Sequence, residues 1–204
     1  MEILREIWFY IGQIDWLEAG GLLFGLACVI LLIRENIWTW PMGIIYVLIS
    51  FVIFWQTKLY ADFALHFVFL VLNIYGWYYW LHGQKQEENE LPVTTTSTKL
   101  IAILLILSAV GVVFFGTLLD RYTDASLAYW DSTTSVLSIV GMWLTTRKKI
   151  ENWYFWIAVD VLATGIYVVK GIYFYALLYF IYVGLAFSGL LTWRKSMQQS
   201  PAMV

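Results

Sequence analysis

Asp160 lies near the middle of an apolar stretch, NWYFWIAVDVLATGIYVVK, long enough to cross a bilayer as a helix. A carboxylate at that depth costs about 2.5–3.5 kcal/mol on insertion scales, so an acidic residue kept there is expected to pair, bind or carry charge. Trp156, one turn earlier, and Thr164, one turn later, share its helix face. An indole beside a carboxylate suits a flat cation, drawn by stacking and charge together. The plainer alternative is an Asp that hydrogen-bonds a neighbouring helix.

A second apolar segment carries Asp62, His66 and Asn73 on one face, with Gly76 below them. The last apolar segment carries a stripe of Tyr175, Tyr179 and Tyr182. Two such faces are expected to line a path between helices, although membrane bundles also use polar residues as interhelical glue. Trp38, Trp40 and Tyr46, with Pro41 among them, form an aromatic cluster on a third segment. Most aromatic residues are expected in interfacial belts, Trp77, Trp80 and Trp153 among them. The expected substrate-binding set is Asp160, Trp156, Asn73, Tyr46, His66, Tyr175, Tyr179, Tyr182 and Trp40.

Other chemistries are absent from the pattern. There is no G-x-x-x-x-G-K-[ST] loop and no Ser/His/Asp arrangement. His66 and His82 are the only histidines, neither grouped with carboxylates at ligand spacing, so no metal site is expected. Cys28 is the single cysteine, and there is no disulfide framework. A net charge of −2 offers no basic surface for nucleic acid. No enzyme activity and no cofactor are expected.

The elements that position these residues follow from composition. Of the 204 residues 61% are hydrophobic and 13% charged, and the mean hydropathy is +0.74. Lipid can cover that much apolar surface, whereas a soluble domain of this size cannot bury it. Seven helices of spanning length are predicted, at about 17–34, 37–57, 60–82, 99–119, 133–149, 152–170 and 172–193. Residues 1–16 read as an amphipathic helix on the membrane surface, with Ile3, Leu4, Ile7, Trp8 and Ile11 on one face. Residues 83–98 read as a polar cytoplasmic linker and 194–204 as a cytoplasmic tail.

The segment from about Asp15 to Trp80, holding the first three helices at 17–82, recurs, weakly but in order, from about Asp131 to Trp193. Asp15 falls on Asp131, Gly25 on Gly141, Glu35-Asn36 on Glu151-Asn152, Tyr46 on Asp160, Tyr60 on Tyr173, Phe67 on Phe180, Gly76 on Gly189 and Trp80 on Trp193. The expected architecture is all-α, two parallel three-helix repeats joined by the helix at 99–119. Parallel repeats of this kind surround a central substrate path in transporters. Arg34, Lys85, Lys99, Arg147, Lys148, Lys149, Arg194 and Lys195 fall on one side; Arg5, Lys58, Arg121 and Lys170 fall on the other. The richer side is expected in the cytoplasm, with the N-terminus outside and the C-terminus inside. The Glu-Asn pairs are expected to cap the helices that follow them.

The strings NIWTWPMG, KLYADFAL, NIYGWYYW, WDSTTSVLSIV, TRKKIENW and KGIY together resemble the Pnu family of bacterial B-vitamin transporters, over about residues 15–195. The resemblance implies a SWEET-like 3+1+3 bundle in the bacterial inner membrane, a homotrimer, and downhill entry of a vitamin later trapped by a cytoplasmic kinase. Asp160 and the W-x-W-P of Trp38 to Pro41 resemble the thiamine branch, so thiamine is the expected substrate. Nicotinamide riboside is the alternative, because it too is a permanent cation. A vitamin sensor that binds without transport is the second alternative.

Overall fold

The computed structural model describes residues 2–57, 60–83, 91–123 and 127–199. Lys58 and Lys85, residues 84–90 of the linker and 200–204 of the tail lie outside them. Eight helices follow in chain order: α1 (Glu2–Ile11), α2 (Trp16–Ile33), α3 (Thr39–Gln56), α4 (Tyr60–His82), α5 (Thr98–Tyr122), α6 (Ala128–Thr146), α7 (Asn152–Val169) and α8 (Tyr173–Gln199). Local chemistry explains several starts. The Asp15 carboxylate accepts from the Glu18 N–H at 2.8 Å, and the Ser97 hydroxyl from the Leu100 N–H at 3.4 Å. Pro41 sits in the first turn of α3, where its missing N–H costs nothing.

Helix contacts close a ring: α2 to α3 to α4 to α6 to α7 to α8 and back to α2. Among the described residues α5 packs on α6 alone and α1 on α8 alone. Among the described residues six helices are long and apolar enough to cross a membrane: α2, α3, α4, α5, α7 and α8. The seventh expected span corresponds to α6, which starts several residues earlier than its apolar run suggests. It carries Asp131, Ser132, Thr133, Thr134 and Ser135, and α4, α5 and α7 cover it. The most apolar helix, α5, is the one outside the ring, with Ile106, Leu107, Val110 and Val113 each more than half exposed.

The two halves of the ring share a set of contacts at one constant sequence separation. Trp40 rests on Gly76 and meets Trp80 edge-on at 5.3 Å; Trp153 rests on Gly189 and meets Trp193 edge-on at 5.4 Å. Neither glycine has room for a Cβ against its indole. The Trp80 Nε1–H donates to the Thr145 carbonyl (3.3 Å) and the Trp193 Nε1–H to the Leu32 carbonyl (3.0 Å), each reaching into the other half. The two helix–helix turns each put one residue in left-handed backbone, Glu35 at φ 56° and Lys148 at φ 52°. For a side chain other than Gly that conformation costs about 1–2 kcal/mol. In this register Glu35 corresponds to Lys148, not Glu151, and Asp160 to Val47, not Tyr46. The Glu-Asn dipeptides match in letters but not in place.

Several local expectations change accordingly. Trp80 and Trp153 are core, 6% and 1% exposed, rather than interfacial; Trp77 is exposed as expected. Asn36 does hold the turn before α3, its Oδ1 accepting from the Trp38 N–H at 2.9 Å. Glu151 caps nothing on α7. Its Oε1 accepts instead from the Thr96 N–H at 2.9 Å.

The described end of the linker, from Leu91, packs against the ring. Leu91 and Val93 are buried among Leu32, Trp40, Trp80, Ile150, Trp153 and Trp193. Thr94 exchanges backbone hydrogen bonds with the α6–α7 turn, its N–H to the Lys148 carbonyl and its carbonyl from the Ile150 N–H (3.1 and 3.0 Å). Lys149 Nζ donates to the Thr95 carbonyl at 3.0 Å. This strap roofs the tryptophan cluster at one end of the ring.

Candidate functional site

α7 holds Asp160 with its side chain buried, 7% exposed, and among the described residues nothing donates a hydrogen bond or a cation to its carboxylate. The Thr164 hydroxyl bonds the Asp160 backbone carbonyl at 2.7 Å instead, so the shared helix face does not satisfy the acid. Trp156 is fixed by its Nε1–H to the Thr145 hydroxyl (3.2 Å) and lies against Gly141 of α6. The expected indole beside the acid is therefore tied to α6 rather than free to swing.

α8 supplies the tyrosines. Tyr179 and Tyr182 meet edge-on at 5.9 Å, and both are close enough to Asp160 and Tyr46 to interact electrostatically. Gly25 of α2 brings the ring wall in: the space a Cβ would occupy lies 3.3 Å from the Tyr182 hydroxyl and 3.4 Å from the Tyr46 ring. Tyr46 in turn faces the His66 ring at 5.9 Å. Tyr167, which the sequence reading passed over, stacks on Tyr175 at 5.4 Å and on Tyr179 at 5.3 Å. It lies two helical turns beyond Asp160 on α7. Tyr10 of α1 continues the series, 5.8 Å from Tyr175. The tyrosines thus run as a ladder from the α1 end of the ring to the level of Asp160.

His66 is 7% exposed and enclosed by Tyr46, Phe54 and Phe69. Its Nδ1 lies 3.0 Å from the Asp62 carbonyl, which requires the proton on Nδ1 and leaves Nε2 as a buried acceptor without a partner. Asn73, 4% exposed, donates from Nδ2 to the Phe69 carbonyl at 2.9 Å, and its Oδ1 faces Gly43. Cys28 lies against the same glycine. Asp62 is exposed at the start of α4 and stands apart from Asp160. Trp40 departs from the expectation, since it belongs to the tryptophan cluster under the strap. A groove of about 660 Å³ along α5, lined by Val110, Phe114 and Arg121, lies outside the ring. Among the described residues no three His, Cys, Asp or Glu side chains are grouped as a metal would need.

A closed ring of helices, most of them long and apolar enough to cross a bilayer, with a buried unpaired acid near stacked tyrosines, fits a multi-pass membrane transporter. The chain belongs to the nicotinamide mononucleotide transporter family, whose pattern matches residues 15–195. It is 32% identical over 211 residues to the nicotinamide riboside transporter PnuC of Escherichia coli (strain K12), covering 92% of this chain and 88% of that one. It is 28% identical over 183 residues to the riboflavin/roseoflavin transporter RibM of Streptomyces davaonensis, covering 89% and 85%. The crystal structure of the vitamin B3 transporter PnuC has the same fold, with a TM-score of 0.75 at 21% identity over 98% of this chain and 91% of that one.

Proposed function

We propose that the protein carries nicotinamide riboside across the bacterial inner membrane. The observation that carries this reading is the unpaired Asp160 carboxylate inside the ring, beside Tyr179 and Tyr182, in a chain 32% identical to a nicotinamide riboside transporter. The expectation of thiamine is corrected. The relatives named for a cationic vitamin are nicotinamide riboside transporters, and none points to thiamine. Asp160 misled because both vitamins are permanent cations, and a carboxylate answers either charge.

In this reading Asp160 faces the pyridinium ring, with Tyr46, Tyr179 and Tyr182 stacking on it or bonding the ribose hydroxyls. Asn73 and His66 present polar edges from the opposite wall, and Tyr175 lines the approach. Trp156 positions α6 against α7. The two halves are parallel three-helix repeats, α2–α4 and α6–α8, joined by α5, and they rock about the site to expose it to either side. The excess of basic residues supports a cytoplasmic position for the α2–α3 and α6–α7 turns. The family resemblance supports a homotrimer and downhill entry, with phosphorylation by a cytoplasmic kinase trapping the vitamin.

Uptake of labelled nicotinamide riboside into proteoliposomes is the direct measurement, with uptake above empty vesicles and competition by unlabelled vitamin expected. Tight binding without flux would replace transport with sensing. Preference for riboflavin by more than about tenfold, roughly 1.4 kcal/mol, would overturn the substrate.

A further inference from the structure

Glu35 and Lys148 hold corresponding places in the two halves, and they touch: Lys148 Nζ lies 2.8 Å from Glu35 Oε2. When an axis relates two halves of a ring, corresponding residues can meet only at that axis. Trp80 and Trp193, the other such pair, stand 6.2 Å apart. The axis is also the line along which a path between the halves must run. We propose that the Lys148–Glu35 ion pair is the gate of this path at the end formed by the α2–α3 and α6–α7 turns. The proposal rests on the reading that the ring encloses the substrate path.

The chemistry of the pair fits a closure. Lys148 is 2% exposed and Glu35 15%, and the ammonium also lies 4.8 Å from the Trp80 ring centre. Two halves that repeat their tryptophans and glycines put opposite charges at the axis, where like charges would repel. Both residues hold left-handed backbone, which Gly would adopt more easily, so charge is kept there at the expense of local strain.

Among the described residues three polar contacts bridge the halves at this end, the ion pair and the two indole bonds to Thr145 and Leu32, beside the Arg147 guanidinium over the Tyr79 ring and the shared tryptophan core. All three break together when the halves separate, and none requires a helix to unwind. The strap is bonded to the α6–α7 turn through Thr94, Thr95 and Thr96, so it moves with that turn and lifts Leu91 and Val93 off the tryptophans. The competing view is a static pair that fixes how the halves register. It predicts lost stability without any change in access.

The single cysteine provides the readout. Cys28 Sγ lies 3.3 Å from the Thr39 carbonyl, one helix turn beyond Leu32 toward the site, and is partly buried. A small cationic methanethiosulfonate is applied to the full chain in proteoliposomes, from each side in turn. Lys148→Met and Glu35→Gln are expected to raise Cys28 labelling from the gate side by about tenfold or more, because each leaves a buried charge that favours the open arrangement. Exchanging the residues, Glu35→Lys with Lys148→Glu, is expected to restore the parent rate. Trp193→Phe keeps the ring but removes one cross-half bond, and is expected to raise labelling several-fold in a folded protein. Labelling within about twofold of the parent in Trp193→Phe and in whichever single charge variants fold overturns the gate. The readout needs no vitamin. Absent nicotinamide riboside flux therefore removes the substrate reading alone, and unchanged labelling in a parent that transports removes the gate alone.

Discussion

The two ends of the half-ring tell different stories. Near the strap the halves are near copies: Trp40 on Gly76 and Trp80 corresponds to Trp153 on Gly189 and Trp193, down to edge-on angles of 85° and 86°. In the middle the same register sets unlike residues against each other. Val47 stands where Asp160 does, His66 where Tyr179 does, Phe69 where Tyr182 does and Asn73 where Ala186 does. The tryptophan–glycine packing behind the proposed closure is repeated, and the residues of the proposed site differ between the halves. Packing on either side of an axis can repeat, whereas at the axis itself Glu35 meets Lys148, since like charges there would repel. A site for an asymmetric small molecule needs a different group on each wall.

The largest test of the duplicated end is truncation of its indoles. Trp40→Ala and Trp153→Ala should each lower unfolding stability by about 3–5 kcal/mol, and by similar amounts, in denaturant titrations of the detergent-solubilised protein. A loss confined to one half would break the comparison. In the middle, Asp160→Asn should weaken nicotinamide riboside binding by about 1.5–3 kcal/mol in calorimetry while leaving the melting temperature unchanged or higher. A stability loss with unchanged affinity would make Asp160 structural. Gly76→Ala and Gly189→Ala push a Cβ into an indole, and each should cost about 1–3 kcal/mol of stability by the same titration. Binding by the surviving folded protein should be little changed. The smallest effect is Tyr182→Phe, which keeps the ring and removes the hydroxyl; affinity should fall by about 0.5–1.5 kcal/mol. If the affinity is unchanged, the hydroxyl belongs to the wall and not to the site.

Much of the fold was legible because its signals are local. Spanning length and apolar composition place most helices within a few residues. α6 was harder to bound because its N-terminal turns are polar and its neighbours cover it. The packing of the linker's described end was not legible for the converse reason. Pro92 and a run of threonines read as a polar linker, and nothing local shows that Leu91 and Val93 lie in the core over the tryptophan cluster. In the candidate site Asp160, Asn73, His66 and the tyrosines were visible as polar or aromatic residues out of place in an apolar run. Tyr167 was not, since one more aromatic residue in a chain that is 19% aromatic carries little information. Trp40 was placed in the site on composition, but its partner is a glycine that only packing reveals.

Hydropathy and period decided, from the sequence alone, that the chain is a helical membrane protein with an acid at bilayer depth. Those are properties of a segment and its solvent, and they need no partner. Only the tertiary structure decided which helix stands outside the ring, that Trp80 and Trp193 reach carbonyls in the opposite half, and that Glu35 meets Lys148 and not a cap. Each of these is a contact between residues far apart in sequence. Such contacts depend on the geometry of the closed ring, which no local pattern of side chains encodes.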